Sequence, residues 1–401
     1  MAKKHRDETI LNHDTYKDQH GAVVPPLYQN SLFTFDSWDD IDAAFDNKYG
    51  SYIYTRLLNP TVHVAEKKIA ALCGGGKAKL CGSGMAAISS AILHCVKAND
   101  HLITIKNIYG PANTFISGYL ADKMNIETTY VDGRNPEEFE AAIQDNTTLI
   151  YLESPASLTM DIQDLKTITL IAKAHNIKTV IDNTWASPVF QKPLTMGVDI
   201  EVHSASKYLG GHSDVIAGVI ISNDKTLDEI LGREHELLGA KVAPFEGWLI
   251  LRSLRTLTIR MKAIMENTMT IAHFLESHAQ VRRVHYPGLE SFSQHALARE
   301  QMTGFSGLLS FELDTDNISE IKAFVDALEL FSLGVSWGGH DSLVYAPVIS
   351  YLKELSLDQF AAMGITPSLI RLSIGLEHTE DLMGDLENAF EKMADVGCGY
   401  T

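Results

Sequence analysis

The residues with the most reactive chemistry stand together at His203-Ser204-Ala205-Ser206-Lys207-Tyr208-Leu209-Gly210-Gly211-His212-Ser213-Asp214. Asp199-Ile200-Glu201-Val202 leads into this stretch as a short strand, and Val215 to Ile221 leaves it as an apolar one. A lysine between two such strands is poorly solvated, which disfavours its charged form and frees the amine lone pair. That is the state in which a lysine condenses with a carbonyl. Ser204 and Ser206 add hydroxyl donors beside it, and the glycine pair lets the backbone turn tightly. Two other readings compete. One is a lysine on a solvated loop. The other is the Ser204-x-x-Lys207 pattern of penicillin-binding enzymes, but the chain contains neither Lys-Thr-Gly nor Ser-Asp-Asn to accompany it.

Other candidates lie at the ends of expected elements. Tyr54 and Arg56 alternate on an extended piece and would point the same way, the arginine suited to a phosphate or carboxylate, or to a structural ion pair. Lys79 to Cys81 reads as a strand turning through Gly82-Ser83-Gly84 into a helix that begins at Met85. Strand, glycine turn and helix N-terminus make an anion site, or simply a tight helix–strand contact. Gly82-x-Gly84-x-x-Ala87 also resembles a dinucleotide fingerprint, with Asp100 placed as a ribose-binding acid. Tyr109 offers an aromatic face. Asp182 follows Val180-Ile181 directly, at the mouth of the sheet, as a carboxylate needing a cation or as a helix cap. Arg371 interrupts the alternating strand Leu369 to Gly375 and needs a partner.

These side chains must be positioned by a protein of 401 residues, enough for about two domains. Residues 1–50 read as an arm, residues 51–246 as a large domain and residues 247–401 as a small C-terminal one. Between Leu80 and Ile221 strands and helices alternate, predicting an α/β architecture: a mostly parallel sheet flanked by helices, followed by a smaller α+β domain. Thr61 is the expected cap of a helix reaching Leu72. Trp248 to Phe274 is expected as one helix, and Phe331 to Gly339 as a strand ending in glycines. The net charge of −18 argues against a nucleic-acid partner and against an anionic membrane surface. No apolar run approaches a membrane span, and no apolar segment follows the basic start to make a signal peptide. Four cysteines without C-x-x-C spacing argue against structural zinc or a disulfide framework, so no metal is expected and a cytoplasmic setting fits.

A desolvated lysine, a carboxylate at the sheet mouth, an aromatic face, an anion turn and a spare arginine together suit pyridoxal 5'-phosphate. Lys207 would hold the aldehyde carbon. Asp182 would keep the pyridine nitrogen protonated, and Tyr109 would stack on the ring. Ser83, Gly84 and Met85, with the Ser204 and Ser206 hydroxyls, would hold the phosphate. An NAD-dependent dehydrogenase and a cofactor-bearing protein without turnover are the alternatives from other classes.

Ser-Ala-Ser-Lys-Tyr-Leu-Gly-Gly-His-Ser-Asp (204–214), Asp-Asn-Thr-Trp-Ala (182–186) and Tyr-x-Arg (54–56) resemble the Cys/Met-metabolism group of fold-type-I pyridoxal-phosphate enzymes, from about Gly21 to Met393. The resemblance implies a homotetramer built from dimers, in which Tyr54 and Arg56 reach the phosphate of the neighbouring subunit. It also implies that Arg371 binds the substrate α-carboxylate. Within the group, Glu153 to Met160, Leu330 to Ser332 with Ser336 to Gly339, and Leu369 to Leu372 with Ile374 to Glu377 look most like bacterial cystathionine β-lyases. Ser336 and Trp337 would then line the substrate pocket. The implied reaction is β-elimination of cystathionine, or a related cysteine S-conjugate, to homocysteine or another thiol, pyruvate and ammonia. Lys207 would move the α-proton, and Lys207 or a tyrosine, Tyr54 or Tyr109, would protonate the leaving thiolate. Two departures keep γ-elimination or γ-replacement open: Val335 stands where those lyases usually carry tyrosine, and Ser83-Gly84-Met85 is more like the γ-enzymes. Pro111 replaces the cysteine typical of methionine γ-lyases.

Overall fold

The computed structural model describes residues 5–13, 16, 20–354 and 364–398. Residues 1–4 of the basic start and the Cys398 side chain lie outside the described residues. Seven strands form the larger sheet: β1 (Lys77–Cys81), β2 (His101–Ile105), β3 (Glu127–Val131), β4 (Thr147–Glu153), β5 (Lys178–Asp182), β6 (Ile200–His203) and β7 (Gly218–Ser222). Their spatial order is β1-β7-β6-β5-β4-β2-β3. Strands β2 to β6 pair in parallel, while β7 runs antiparallel to both of its neighbours. β2 and β7 are buried along their whole length, as expected where both faces of a sheet are covered. The helix Gly84–Cys95 lays Ala87, Ile88, Ala91 and Ile92 into this core. Each buried isoleucine there contributes about 2 kcal/mol.

Five more strands make a second sheet: β8 (Val281–His285), β9 (Leu308–Leu313), β10 (Ser332–Leu333), β11 (Leu343–Tyr345) and β12 (Leu369–Ser373), in the order β10-β11-β12-β9-β8. Only β10 and β11 pair in parallel. The helices Ile318–Ala327 and Thr379–Cys398 cover it, with Phe311, Phe324 and Phe390 in mutual ring contact.

Several local expectations are corrected. The helix Pro60–Cys73 is capped by Asn59, which accepts the Thr61 amide, not by Thr61. Pro60 has no amide to satisfy and takes the first helical position. The Thr61 hydroxyl instead donates to the Pro26 carbonyl and accepts from the Tyr28 amide, fastening the N-terminal segment. The long C-terminal helical region is two helices, Pro244–Leu254 and Leu257–Ser277. At the break, buried Arg260 reaches back to the Ser253 carbonyl. The outgoing strand begins at Gly218, because residues up to Ala217 are still folding back over the lysine loop. Only Ser332–Leu333 of the stretch from Phe331 to Gly339 is strand. Beyond it the chain turns across Lys207, with Gly338 at φ +82°.

Candidate active site

In parallel sheets ligands sit beyond the carboxyl ends of the strands, and the candidate residues collect there. Glu153, Asp182 and His203 are the last residues of β4, β5 and β6. Ser83 follows β1, Tyr109 follows β2 and Lys207 follows β6. Lys207 Nζ donates to Ser336 Oγ at 2.6 Å and lies 5.0 Å from the centre of the Trp337 ring. Burial, then the positive charge of Arg371, lower its pKa to about 8, against the attraction of Asp182. A Cβ on Gly338 would meet Lys207 Cβ at 3.0 Å and Cα at 3.2 Å, so only a glycine lets this turn pack so closely on the lysine stem.

Asp182 is buried, which raises its pKa. Two bonds from Thr184, then the charges of His203 and Lys207, pull it back. Both Thr184 bonds, from its amide and its hydroxyl, fall on Oδ1, leaving Oδ2 available. The same Thr184 hydroxyl accepts the Ser204 amide at 2.8 Å, tying Asp182 to the lysine loop. The spacing Asp-x-Thr could have shown this link, since a threonine two residues on can bond back to the carboxylate.

Ser83 caps the helix Gly84–Cys95 by accepting the Ala86 amide at 3.0 Å. The first-turn amides of Gly84 and Met85 have no carbonyl within the helix to bond. A Cβ on Gly84 would come within 2.9 Å of Ser204 Cβ and Oγ, so this turn and the lysine loop share one cradle. The Ser206 hydroxyl, on the same loop, spans the Ala217 amide at 3.0 Å and carbonyl at 3.2 Å, bracing the loop. Asp100 sits before β2, at the opposite end of the sheet, and accepts from the Lys97 amide and Thr148 hydroxyl. It cannot serve a ligand bound at Ser83.

Arg371 is buried on β12, donates to the Val335 carbonyl at 2.8 Å and stacks 5.0 Å from the Tyr345 ring centre. No sequence signal foretold a backbone partner in a turn. Tyr54 and Arg56 are brought together but not as an extended pair. Tyr54 bridges to Leu32, the chain then turns, and the Arg56 guanidinium lies 5.7 Å from the Tyr54 ring centre and bonds the Glu236 carbonyl. Both side chains are exposed, and none of their described contacts is with Lys207. On the face of the sheet opposite Asp182, His203 and Asn183 both bond Glu201 Oε1, with the Cys73 thiol beside them. Burial holds that thiol well above its ordinary range.

The residues fit pyridoxal phosphate: an anion cradle, a lysine whose pKa is lowered by burial and an available carboxylate oxygen lie at one end of one sheet. The family comparison decides the matter. A family model described as Cys/Met metabolism PLP-dependent enzyme matches residues 8–391. The chain belongs to this family. Its cofactor is therefore pyridoxal 5'-phosphate, and it is an enzyme of the Cys/Met lyase group acting on sulfur-containing amino acids. Among relatives, an L-methionine γ-lyase of Fusobacterium nucleatum subsp. nucleatum is 40% identical over 396 residues, covering 98% of this chain and all of that protein. A cystathionine β-lyase of Lactococcus lactis subsp. cremoris is 39% identical over 375 residues, covering 93% of this chain and 95% of that protein. The structure of a putative O-acetylhomoserine (thiol)-lyase from Campylobacter jejuni, carrying a pyridoxyl-lysine phosphate, superposes with TM-score 0.91 at 32% identity over 96% of this chain and all of that one. A cystathionine γ-lyase from Lactobacillus plantarum, complexed with L-serine, gives 0.89 at 35% identity over 97% of this chain and all of that one. In this family the fold expected from the strand–helix alternation is the shared one: a mostly parallel seven-stranded sheet with a smaller second sheet.

Proposed function

We propose that this enzyme is a carbon–sulfur β-lyase that cleaves cystathionine, or a related cysteine S-conjugate, to a thiol such as homocysteine, pyruvate and ammonia. The observation that carries a lyase reading is the lysine amine. It is held by Ser336 against Trp337, its charge disfavoured by burial and by Arg371. The β assignment rests on the sequence segments around Ser154, Trp337 and Arg371.

Bound pyridoxal phosphate supplies an aldehyde for the substrate amine and a ring that takes up the electron pair left at the substrate α-carbon. Ser83, Gly84, Met85 and Ser204 would hold its phosphate at the helix N-terminus. Ser206 would shape the loop from behind. Asp182 would hold the proton on the ring nitrogen through its available oxygen, and Tyr109 would cover the ring face. Lys207 would carry the aldehyde at rest, then, released by the substrate amine, take the α-proton on Nζ. Arg371 would fix the α-carboxylate, with Ser336 and Trp337 walling the pocket. The leaving thiolate would take its proton from Lys207, or from Tyr109 or Tyr54. A homotetramer, its active sites completed by Tyr54 and Arg56 of a neighbour, belongs to the same proposal. It is supported by the exposure of those two side chains and of Val23, Leu32, Trp38 and Phe45 on the same N-terminal part of the chain. A cytoplasmic setting is part of it as well, in keeping with free Cys73, Cys81 and Cys95.

The γ-elimination reading is favoured by one specific feature: Val335 is small and 77% exposed where a tyrosine would mark the β-lyases. Purified enzyme supplied with cystathionine decides between them. Pyruvate and homocysteine are expected; 2-oxobutyrate and cysteine as the only products would overturn the β assignment. Borohydride reduction followed by peptide mapping tests the lysine. The label is expected on residue 207, and Lys207→Ala is expected to lower turnover by roughly 10³-fold or more.

A further inference from the structure

Glu153 opens one of the segments that resemble the β-lyases, and its carboxyl group joins two of the loops that frame the site. It ends β4 directly beside Asp182, its register partner on β5, so both side chains leave the same face of the sheet. It is 4% exposed. Its Oε2 accepts the Tyr109 amide at 2.6 Å and its Oε1 accepts the Ser157 amide at 2.9 Å. Tyr109 is the residue before the helix Gly110–Thr114, a position whose own side chain caps nothing. Glu153 therefore does from a neighbouring strand what a capping side chain does locally, satisfying a donor at the helix start. Among the described residues the Tyr109 phenol makes no hydrogen bond and its ring no aromatic contact, so the ring is placed through its backbone.

The geometry points to Glu153 as a positioning residue that sets the Tyr109 ring over the cofactor by clamping its amide. This rests on the reading that Tyr109 covers the face of pyridoxal phosphate bound through Lys207. The charge balance of the site agrees. Two adjacent buried carboxyls do not both ionise readily. Burial, and next the charge of Asp182, push Glu153 up to about 8. Asp182 is raised as well, chiefly by burial, so the pair favours keeping a proton on one of its two carboxyls. A protonated carboxyl still accepts at both oxygens, so the clamp survives the proton.

Glu153→Gln and Glu153→Ala holoenzymes test this, read by the visible circular dichroism of the bound cofactor and by the dissociation constant for pyridoxal phosphate after reconstitution. Glutamine keeps one acceptor oxygen and places an amide nitrogen opposite the other donor, so one of the two clamps fails; alanine loses both. Both variants are expected to be reduced onto Lys207 as the wild type is. The dichroic band is expected to shrink, and the dissociation constant to rise about fivefold for alanine and about half as much for glutamine, the scale of a lost backbone hydrogen bond. In a Tyr109→Ala background, adding Glu153→Gln is expected to change the constant less than the same substitution does alone. Unchanged dichroism and affinity in the glutamine variant, or an effect undiminished in the Tyr109→Ala background, overturns the assignment. If Glu153→Ala does not fold, the glutamine variant decides by the same criteria. Wild-type enzyme that takes no borohydride label on Lys207 would instead sink the functional reading, and this inference with it.

Discussion

Gly338 lies against Lys207 with no room for a side chain between them: a Cβ there would stand 3.0 Å from Lys207 Cβ and 3.2 Å from the Tyr208 amide nitrogen. The turn from Ser336 to Gly339 is thus moulded onto the lysine stem and presents Ser336 Oγ and the Trp337 ring to Nζ. Gly338→Ala also meets φ +82°, a region that costs a non-glycine residue about 1 kcal/mol or more. The variant is expected to lose roughly tenfold or more in kcat, since small displacements at the reacting atoms are expensive. Thermal unfolding should fall by only a few degrees. Steady-state kinetics and calorimetry check the pair.

Arg371 is the group proposed to hold the substrate carboxylate, and its guanidinium is already oriented by the Val335 carbonyl and the Tyr345 ring. Arg371→Lys retains the charge but not the planar fork. It is expected to raise KM on the order of 10–100-fold, with a smaller change in kcat, the mark of a lost bidentate contact. Initial rates across a range of cystathionine concentrations measure both.

Lys207 also predicts a pH dependence for the cofactor-free protein. Its folded pKa is lowered from 10.5 to about 8 by burial and Arg371. Between those values the unfolded chain binds more protons than the folded one, so this residue's share of stability rises with pH across that window and is lost as pH falls through about 8. Urea midpoints of apo wild type and apo Lys207→Met, compared at pH 8 and pH 10, should differ in slope. The wild type is expected to gain relative to the variant at the higher pH.

Arg260 donates to the carbonyls of Tyr208 and Ser253 from a buried position, where desolvation lowers its pKa to about 10. It fastens the residue after the lysine to the break between two helices. Arg260→Met takes the Arg260 donor from the Tyr208 carbonyl, while the Ser253 carbonyl keeps the Thr256 amide and hydroxyl, and should cost about 1–3 kcal/mol in urea unfolding. Gly211, at φ +62°, would bring a Cβ to 1.9 Å from Arg260 Nη1, so Gly211→Ala should damage the same contact.

Much of this site could be read in the residues because strand ends are legible: an apolar run stops and a polar residue follows. That logic finds Ser83, Asp182, Lys207 and the order of the larger sheet's strands along the chain. It does not find partners that are backbone atoms or come from distant turns. The Val335 carbonyl under Arg371, the Gly338 turn on Lys207 and the Glu153 bond to Tyr109 join residues 36, 131 and 44 positions apart. Helix limits failed where a local cap or break overrode periodicity, at Asn59 and at Arg255-Thr256. The dinucleotide fingerprint failed because spacing alone does not say which end of a strand a residue occupies, and Asp100 occupies the wrong one.

Two bonds beside the start of β9 reach across to the larger sheet. The Gly307 amide donates to the Tyr208 hydroxyl at 3.0 Å, and the Trp185 indole donates to the Leu308 carbonyl at 3.1 Å. All four residues are buried. Prising the two sheets apart would strip partners from backbone groups with no water at hand. The two layers are therefore riveted at their seam by buried main-chain bonds, and any parting of the lobes must first break them.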